Sequence, residues 1–286
     1  MGEWWYSFLS MKCITWNLRG IVGNAPKQMD AVIKHKPDIV AFQEVTINSV
    51  NIIKNILSPY YSSIVDSFEL ANDKSVLIGP RQYGELIATN FKVKTLSPHE
   101  FDIPWQERVL SVNVLHHKGT IEFHNAYIPP GSTNRWKKIE TLEGIYKCLA
   151  IQTNTKRILC GDFNTPQEEL LKYGIVTFAQ KINKIGVPKL KEIIRGGSGE
   201  RWDKGERNIL EGLREYNLLD SYRQIHHIPK KAYSFELVRK GRIVAQRRYD
   251  HFFSSKELNT KSAEYLHQFR KNRLSDHSPL EVIFKF

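Results

Sequence analysis

The chain has 286 residues, of which 41% are hydrophobic and 25% charged, and its formal net charge is +12 at pH 7. It is long enough for one large domain or two small ones, and its composition is that of an ordinary globular protein. No apolar run approaches the length of a membrane span, and no basic residue precedes the apolar opening at residues 4–9 as it would in a signal peptide. We therefore expect a protein that is neither secreted nor anchored in a membrane.

The positive charge is concentrated towards the C-terminus. Residues 195–273 contain 18 Lys or Arg against 10 Asp or Glu. Such an excess favours a polyanionic partner, with nucleic acid ahead of an anionic membrane surface, although a solvated basic surface is the alternative. Cys13, Cys148 and Cys160 have no close spacing and predict free thiols in a reducing compartment, the cytoplasm or nucleus. We expect a monomer.

The first sixty residues alternate between strands and helices. Residues 1–10 are predicted to be an N-terminal extension, and residues 11–286 a single domain. Strand, helix, strand and helix are predicted at residues 12–16, 26–36, 38–43 and 48–57. Asn17 and Glu44 follow the two strands directly.

The middle of the chain predicts short strands with close turns. These strands are expected at residues 61–65, 75–78, 86–89, 91–96, 109–115 and 120–125. Tyr127 follows the last of them, and Pro129-Pro130-Gly131 then takes the chain out of the sheet before a helix at residues 132–153. A buried strand leads from Arg157 towards Asp162.

The last third mixes long loops with further strands. Residues 166–207 are polar and glycine-rich, and predict either a loop over the active face or a disordered insert. A helix is expected at residues 208–216, a brief strand or turn at residues 218–220, and strands at residues 232–237, 244–254 and 278–286. Alternating strands and helices with a mixed middle indicate an α/β sandwich in which helices cover packed sheets.

Asp162 and Asn164 flank Phe163 just after a buried strand. Side chains in a strand alternate between its faces, so Asp162 and Asn164 are expected on the same side while Phe163 points into the core. Such a pair can hold a hard cation, or a water molecule against a phosphate. Asp and Asn are also common turn formers, which is the simpler alternative.

Other polar residues follow strands in the same way, and in open α/β folds such positions converge on one site. They are Asn17, Glu44, Tyr127, Asp250, Asp276 and His277. Asp250 interrupts an otherwise strand-like run, so its carboxylate needs a partner, and we predict that this partner is His277. A carboxylate on one ring nitrogen fixes the tautomer of histidine and leaves the other nitrogen free for chemistry.

Six short segments, in this order, resemble motifs of the endonuclease/exonuclease/phosphatase superfamily. They are Thr15-Trp16-Asn17-Leu18-Arg19-Gly20, Phe42-Gln43-Glu44, Asn125-Ala126-Tyr127-Ile128-Pro129, Gly161-Asp162-Phe163-Asn164, Tyr249-Asp250 and Ser275-Asp276-His277-Ser278-Pro279. The resemblance implies a four-layered α/β sandwich of two packed sheets flanked by helices. It also implies a divalent metal, usually Mg²⁺, for which Mn²⁺ can substitute.

The resemblance also implies a role for each of these residues. Glu44 would hold the metal, with Asn17 and Asp276 beside it. Asp162 would orient and deprotonate the attacking water, and Asn164 would contact the phosphate. His277, held by Asp250, would stabilise the developing negative charge. Tyr127 would stabilise or protonate the leaving oxygen.

Within the superfamily, the segments Leu219-Asp220-Ser221-Tyr222-Arg223 and Tyr233-Ser234-Phe235 are most similar to the apurinic/apyrimidinic (AP) endonuclease branch. Arg19, Pro130 and Arg247 depart from the pattern of that branch and leave the substrate open. Several residues are expected to bind nucleic acid: Arg135, Lys138, Lys230, Lys231, Phe235, Arg247 and Arg248.

The leading interpretation is a Mg²⁺-dependent DNA repair nuclease that is an AP endonuclease, a 3′–5′ exonuclease or both, with duplex DNA as the favoured partner. The same chemistry could act on RNA, or on a lipid or inositol phosphate. A non-catalytic nucleic-acid-binding relative would lack one of the expected core residues, and all of them are present.

Overall fold

The computed structural model describes residues 10–69, 73–97, 100–228 and 230–286. The predicted N-terminal extension lies outside these residues except for Ser10, which begins the first strand. In chain order the strands are β1 Ser10–Asn17, β2 Ile39–Thr46, β3 Ser63–Asp66, β4 Tyr83–Thr89, β5 Lys92–Thr95, β6 Val109–His116, β7 Gly119–Tyr127, β8 Lys156–Asp162, β9 Glu168–Leu170, β10 Gly174–Val176, β11 Gln180–Ile182, β12 Pro188–Leu190, β13 Ile193–Ile194, β14 Gly197–Ser198, β15 Leu219–Asp220, β16 Phe235–Arg239, β17 Arg242–Arg247, β18 Asp250–Ser254, β19 Thr260–Tyr265 and β20 Leu280–Lys285.

The helices pack outside the strands. They are α1 Ala25–Lys34, α2 Ile47–Leu57, α3 Gly131–Asn134, α4 Lys137–Leu149, α5 Gly199–Leu210, α6 Ser221–Ile225 and α7 His267–Lys271. Short 3-10 turns lie at Val22–Asn24, Lys74–Val76, Gly79–Arg81, Gln106–Arg108, Gly212–Tyr216 and Lys256–Leu258. No helix within the described residues is long and apolar enough to cross a membrane.

Two mixed sheets of six strands each form the centre of the molecule. The first has the order β19-β20-β1-β2-β4-β3, and the second β15-β18-β8-β7-β6-β5. The pairs β1–β2 and β7–β8 are parallel, and the other neighbours within these two sheets are antiparallel. This arrangement confirms the predicted α/β sandwich.

The alternation of side chains along β1 shows why the molecule has four layers. Met11 and Cys13 face the second sheet and pack with Phe123 and Phe252. Ile14 and Trp16 face the other way, into the cluster under α1 and α2. A third cluster packs α4 and α5 on the outer face of the second sheet. The predicted free thiols agree with the structure, in which Cys13, Cys148 and Cys160 form no disulfide.

Some predicted elements differ from the structure. The strand expected at residues 75–78 is wrong: the chain forms a 3-10 turn there, because the Asp73 side chain accepts a hydrogen bond from the Ser75 backbone and caps it. The helix expected at residues 132–153 is two helices, α3 and α4, separated at Arg135, whose φ of 48° is incompatible with a continuous helix. The sequence pattern missed β19 and α7 altogether.

The glycine-rich segment at residues 166–207 is ordered and folded. It forms three two-stranded hairpins, β9–β10, β11–β12 and β13–β14, and then enters α5. Each strand has only two or three residues, too few for an alternating pattern to appear in the sequence. The alternative of a disordered insert is therefore excluded.

Candidate active site

Asn17 ends β1 and joins the two sheets through its side chain. It lies on the inner face of its strand, in line with Met11 and Cys13, and is only 1% exposed. Its Nδ2 donates to Glu44 Oε1 at 3.0 Å and to Asp162 Oδ2 at 2.8 Å. Its Oδ1 accepts the backbone N–H of Arg19 at 2.8 Å, which fixes the orientation of the amide. Asn17 therefore holds two carboxylates through its nitrogen, and its oxygen faces away from them.

Glu44 reaches this cluster because of an irregularity in β2. Simple alternation would place it on the same face as Phe42, against the helices. The pairing of β2 with β4 instead shifts between Phe42 and Val45, and Glu44 has a φ of 53°, a left-handed conformation that costs energy for a residue with a side chain. The bulge turns the Glu44 carboxylate towards Asn17, so the strained backbone at Glu44 is what brings this side chain into the site.

Asp162 ends β8, opposite Asn17. The preceding Gly161 has a φ of 137°, and a Cβ at that position would lie 1.9 Å from the carbonyl oxygen of Ala126, so only glycine lets β7 and β8 approach this closely. Asp162 is 1% exposed. Its Oδ1 accepts the Asn164 backbone N–H at 2.9 Å, in addition to the bond from Asn17 to Oδ2.

His277 and Asp250 form the predicted pair. Nδ1 of His277 lies 2.7 Å from Oδ2 of Asp250, and both residues are buried. Nε2 of His277 is directed towards Asp162, with 3.9 Å between Nε2 and Oδ2. Backbone pairing of Asp250 with Asp162 across β18 and β8 places the two acids side by side. The three residues thus form a continuous line of ionisable groups at the inner edge of the second sheet.

Burial and mutual charge set the protonation of this line. Burial raises the pKa of Asp162 to about 7, although the charge of His277 lowers it. Burial alone would lower the pKa of His277, but the carboxylates of Asp250 and Asp162 outweigh it and raise that pKa to about 10. Near neutral pH, His277 is therefore an imidazolium beside a carboxyl group that can gain or lose a proton.

Tyr127 lies at the end of β7, next to Glu44. Burial and the nearby charge of Glu44 raise the pKa of its hydroxyl well above the usual range, so the hydroxyl keeps its proton. The guanidinium of Arg108 lies 4.5 Å from the centre of the Tyr127 ring, and the Tyr83 ring packs edge-to-face against the same Tyr127 ring. Tyr127 is thus a rigidly held proton donor at the rim of the cluster.

Asn164 and Asp276 lie at the margins. Asn164 has a φ of 51°, and its Nδ2 donates to the carbonyl of Ile128 at 2.9 Å. Asp276 is partly exposed, and its Oδ2 lies 3.4 Å from Nε of Arg19. Arg19, which departs from the AP endonuclease pattern, therefore supplies a positive charge beside Asp276.

The cluster contains groups that suit a divalent metal. Asp162, Asp250 and His277 each place a possible ligand atom within 4.8 Å of the others. Oδ1 of Asp250 is buried without a hydrogen-bond partner among the described residues, and such an oxygen is available to a cation. Glu44 offers a further carboxylate that is only half-buried. Oxygen ligands of this kind are those that hard cations prefer.

Two of the residues expected to bind nucleic acid are buried instead. Lys138 is 1% exposed and pairs with Glu206 at 2.6 Å, while Arg248 is 3% exposed and pairs with Asp220 at 2.6 Å. Both positive charges are neutralised inside the protein, and we remove these residues from the expected nucleic-acid contacts. Helical and strand periodicity could not reveal this, because the acidic partners lie 68 and 28 residues away in sequence.

The other expected contacts are accessible. Arg135, Lys230 and Lys231 are exposed, and Arg247 is half-buried. The Phe235 ring stacks on Tyr249 with 5.4 Å between ring centres and lies 5.0 Å from the ring of His277. Phe235 and Tyr249 therefore form an aromatic wall directly beside His277.

Sequence reasoning missed the residues that support the site from behind. Gln43 donates to Asn125 Oδ1 at 2.6 Å and to Thr15 at 2.8 Å, which ties the two sheets together beneath Asn17. The Ser275 hydroxyl donates to the Asn17 carbonyl at 2.7 Å and so links the His277 loop to β1. Gln43, Asn125 and Ser275 all lie within the six motif segments, so their proximity to predicted site residues was the available signal.

Two mixed sheets between helical layers thus bring buried acids and a histidine together at one edge, an arrangement that suits a metal-dependent hydrolase. A profile of the endonuclease/exonuclease/phosphatase family matches residues 14–277, and the chain belongs to this family. It is a metal-dependent phosphodiesterase, as its motifs predicted. No curated protein sequence matches the chain significantly.

Solved structures share the fold at low sequence identity. An AP endonuclease from Archaeoglobus fulgidus matches with a TM-score of 0.69 and 19% identity over 96% of this chain and 100% of that one. The 3′ phosphatase NExo from Neisseria, bound to product DNA hairpin, matches with a TM-score of 0.67 and 22% identity over 96% and 100% of the two chains. D. rerio TDP2, complexed with single strand DNA product, matches with a TM-score of 0.64 and 11% identity over 97% and 99%.

Proposed function

We propose that the protein is a Mg²⁺-dependent nuclease of DNA repair that cleaves duplex DNA at abasic sites or trims 3′ ends. The observation that carries this proposal is the connected cluster in which Asn17 holds Glu44 and Asp162, and His277 bridges Asp162 and Asp250. The protein would act as a monomer, with residues 11–286 as one catalytic domain. It would be located with the DNA, in the nucleoid of the cytoplasm or in the nucleus.

Hydrolysis needs a base, a group that stabilises charge and a group that assists departure of the leaving oxygen. Asp162 is the base: its pKa of about 7 lets its carboxylate take a proton from water near neutral pH. His277 donates from Nε2 to a non-bridging phosphate oxygen and carries the positive charge that the transition state requires. Asp250 keeps that imidazolium charged and oriented.

Two further side chains would complete the reaction. The Tyr127 hydroxyl keeps its proton because of burial and the charge of Glu44, so it can donate to the leaving oxygen. The Asn164 side chain lies two residues beyond Asp162 and is held against Ile128, where its amide can contact the phosphate. Arg108 and Tyr83 pack on the Tyr127 ring, and the bond to Ile128 holds Asn164, so both side chains are positioned before the substrate binds.

We propose Mg²⁺ as the metal, held by Glu44, with Asn17 and Asp276 positioned around it. An imidazolium has no lone pair to offer, so the high pKa of His277 favours Glu44 over the group containing His277 as the place for the ion. Asn17 would orient the Glu44 ligand through Nδ2 and would not ligate through its oxygen. A bound Mg²⁺ supplies positive charge against the charge developing on the phosphate.

DNA is favoured as the substrate by charge and by the aromatic wall. The net charge of +12 suits a polyanion better than a small headgroup. Exposed Arg135, Lys230 and Lys231 are proposed to contact phosphates, and Phe235 can pack on a sugar beside His277. NExo and TDP2, whose solved structures contain DNA, support this choice by similarity of fold.

A substrate panel tests the proposal. Purified protein with Mg²⁺ is given duplex DNA with one abasic analogue, the same duplex undamaged, single-stranded RNA of the same sequence, and inositol phosphates. We expect cleavage of DNA, fastest at the abasic analogue or at the 3′ end, and none after chelation of the metal. Cleavage of RNA or inositol phosphates without cleavage of DNA would refute the DNA assignment.

A further inference from the structure

A pocket of about 260 Å³ opens beside Asn164 and Tyr249. The hairpin segment at residues 166–198 supplies one of its walls, through Phe178, Lys191 and Arg195. Asn164 belongs to both places, since it lines the pocket and its backbone N–H bonds to Asp162. The pocket is therefore continuous with the hydrolytic cluster.

The pocket carries positive charge that nothing in its lining neutralises. Lys138 lines it with its charge already paired to Glu206, whereas three further cations, Lys191, Arg195 and Arg247, line it without an acidic partner, and no carboxylate is in the lining among the described residues. Neutral oxygens hold all three cations: Lys191 donates to the Phe178 carbonyl at 2.7 Å and Arg195 to the Ser132 carbonyl at 3.2 Å. Arg247 donates to the Tyr249 hydroxyl at 2.9 Å, and its Nε is buried without a partner in the described structure. Such an environment attracts an anion.

A buried network keeps the pocket in a fixed shape. Glu206 is fully buried and accepts hydrogen bonds from Lys138 at 2.6 Å, from the Trp202 indole at 2.8 Å and from the Phe178 backbone at 2.9 Å. Lys138 also donates to the Asn164 carbonyl at 2.9 Å. The wall that holds Phe178 is thus tied directly to the loop that holds Asn164, so the pocket is preorganised relative to Asp162.

We propose that this pocket takes a terminal nucleotide that bears a free phosphate monoester, adjacent to the phosphodiester that is cut. A monoester carries a charge of about −1.5 to −2 near neutral pH, so the three cations favour it over the single charge of a backbone diester. Phe178 and Tyr249 also line the pocket and offer apolar contact to the sugar or base. A space of this volume suits one such unit and excludes a duplex.

This inference rests on the proposed nuclease function and narrows it to DNA ends that carry a phosphate. The monoester can belong to a 5′ or a 3′ terminus. Four duplexes of one sequence distinguish these sources: one with hydroxyls at both ends of the cleaved strand, one with a 5′ phosphate, one with a 3′ phosphate and one with both.

The wild-type protein is expected to cleave one of the phosphate-bearing termini with a kcat/KM about tenfold or more above that of the hydroxyl terminus, the size of effect that a charged hydrogen bond gives. The variant K191Q/R195Q should lose this preference while its kcat/KM on the hydroxyl-ended duplex stays within about twofold of wild type. A preference that survives in K191Q/R195Q, or equal rates on all four duplexes in the wild type, would overturn the proposal.

A matched control comes from the same hairpin segment. Lys181 and Lys184 are exposed and lie outside the pocket, so K181Q/K184Q changes the charge equally and should keep the preference. Calorimetry of metal-free protein with thymidine 3′,5′-bisphosphate, with thymidine as reference, measures the pocket without catalysis. The wild-type protein could bind the bisphosphate, and lose that binding in K191Q/R195Q, and yet cleave no DNA. This outcome would support the pocket assignment and refute only the nuclease assignment.

Discussion

At the scale of single residues, the site depends on charges whose burial changes their ordinary protonation. Burial raises the pKa of Asp162, and the two neighbouring carboxylates raise the pKa of His277. Between about pH 7 and pH 10, Asp162 is therefore a carboxylate that can accept a proton while His277 is still an imidazolium, and these are the two states that the proposed roles require. At their usual pKa values both groups would be less suited to these roles, because an ordinary aspartate is a weak base at pH 7 and an ordinary histidine is mostly neutral there.

The pH dependence of the reaction follows from these two shifts. Activity needs Asp162 deprotonated, so the rate should rise as pH increases through about 7. Activity also needs His277 protonated, so the rate should fall as pH increases through about 10. Single-turnover rates at constant Mg²⁺ and ionic strength should give a broad bell between these values. A profile that falls steadily from pH 6 to pH 9 would contradict the assignment of the two roles.

Asp250 should control the alkaline limb of this bell. In D250N the imidazolium loses its strongest favourable charge, so the pKa of His277 falls and the limb moves to lower pH. The Asp250 charge also raises the pKa of Asp162, so its removal should not move the acidic limb to higher pH. The comparison requires full pH profiles of wild type and D250N, and an unmoved alkaline limb would show that Asp250 does not act through His277.

The residue scale also separates what the sequence could predict from what it could not. The Asp250–His277 pair was predictable, because a carboxylate inside an apolar run needs a partner. The contact of Glu44 with Asn17 was not predictable from alternation, since it depends on a bulge and a positive φ that no sequence pattern signals. The contact of Arg108 with the Tyr127 ring lies at the open end of the β6–β7 pair, next to the pairing of Val109 with Ala126, and no residue pattern signals it.

At the scale of elements, long strands with a clear alternation were predicted well and short elements poorly. The paired strands β6 and β7 were expected within two residues of their observed ends, because eight or nine residues of alternating pattern identify a strand. The hairpins from β9 to β14 are too short to show a pattern and are stabilised by tertiary contacts. Glu206 illustrates this: it accepts bonds from Lys138 and from the Phe178 backbone, which connect α4 and α5 with the turn between β10 and β11.

Removal of Lys138 should therefore affect stability. In K138M the carboxylate of Glu206 stays buried without its cation, and the free energy of unfolding should fall by about 3–5 kcal/mol. The double variant K138M/E206L should recover part of this loss, because no buried charge remains unpaired. Urea unfolding of the wild type, K138M and K138M/E206L measures both effects. Unchanged stability in K138M would show that the pair does not hold the hairpin segment.

At the scale of the whole molecule, the two sheets bring together residues from Asn17 to His277. The site is assembled from the inner faces of both sheets, at the ends of β1, β2, β7 and β8 and the start of β18. The motif order in the sequence predicted this convergence through resemblance to a family. Periodicity alone would have predicted the layers but not which strand ends meet.

The net charge of +12 should make DNA binding depend strongly on salt. Each phosphate contact adds about 0.9 to the slope of log K against log salt concentration, so R135Q and K231Q should each lower the slope by about that amount. K138M should leave it unchanged, because Lys138 is buried against Glu206. Binding isotherms on an uncleavable duplex at four salt concentrations give the slopes. A reduced slope in folded K138M would restore Lys138 as a DNA contact.

The central claim is that the cluster around Asp162 hydrolyses phosphodiesters, and D162N tests it most directly. Asparagine keeps the size of the side chain, and D162N should fold with an unchanged or higher melting temperature, because burial of the carboxylate is unfavourable. The exposed carboxylate Asp30 on α1 provides the control variant D30N.

The measurement is the single-turnover rate of duplex DNA cleavage with Mg²⁺ for wild type, D162N and D30N. We expect D30N to match the wild type and D162N to lose about 10²–10⁴-fold in rate while remaining folded. Cleavage by folded D162N at the wild-type rate would contradict the account.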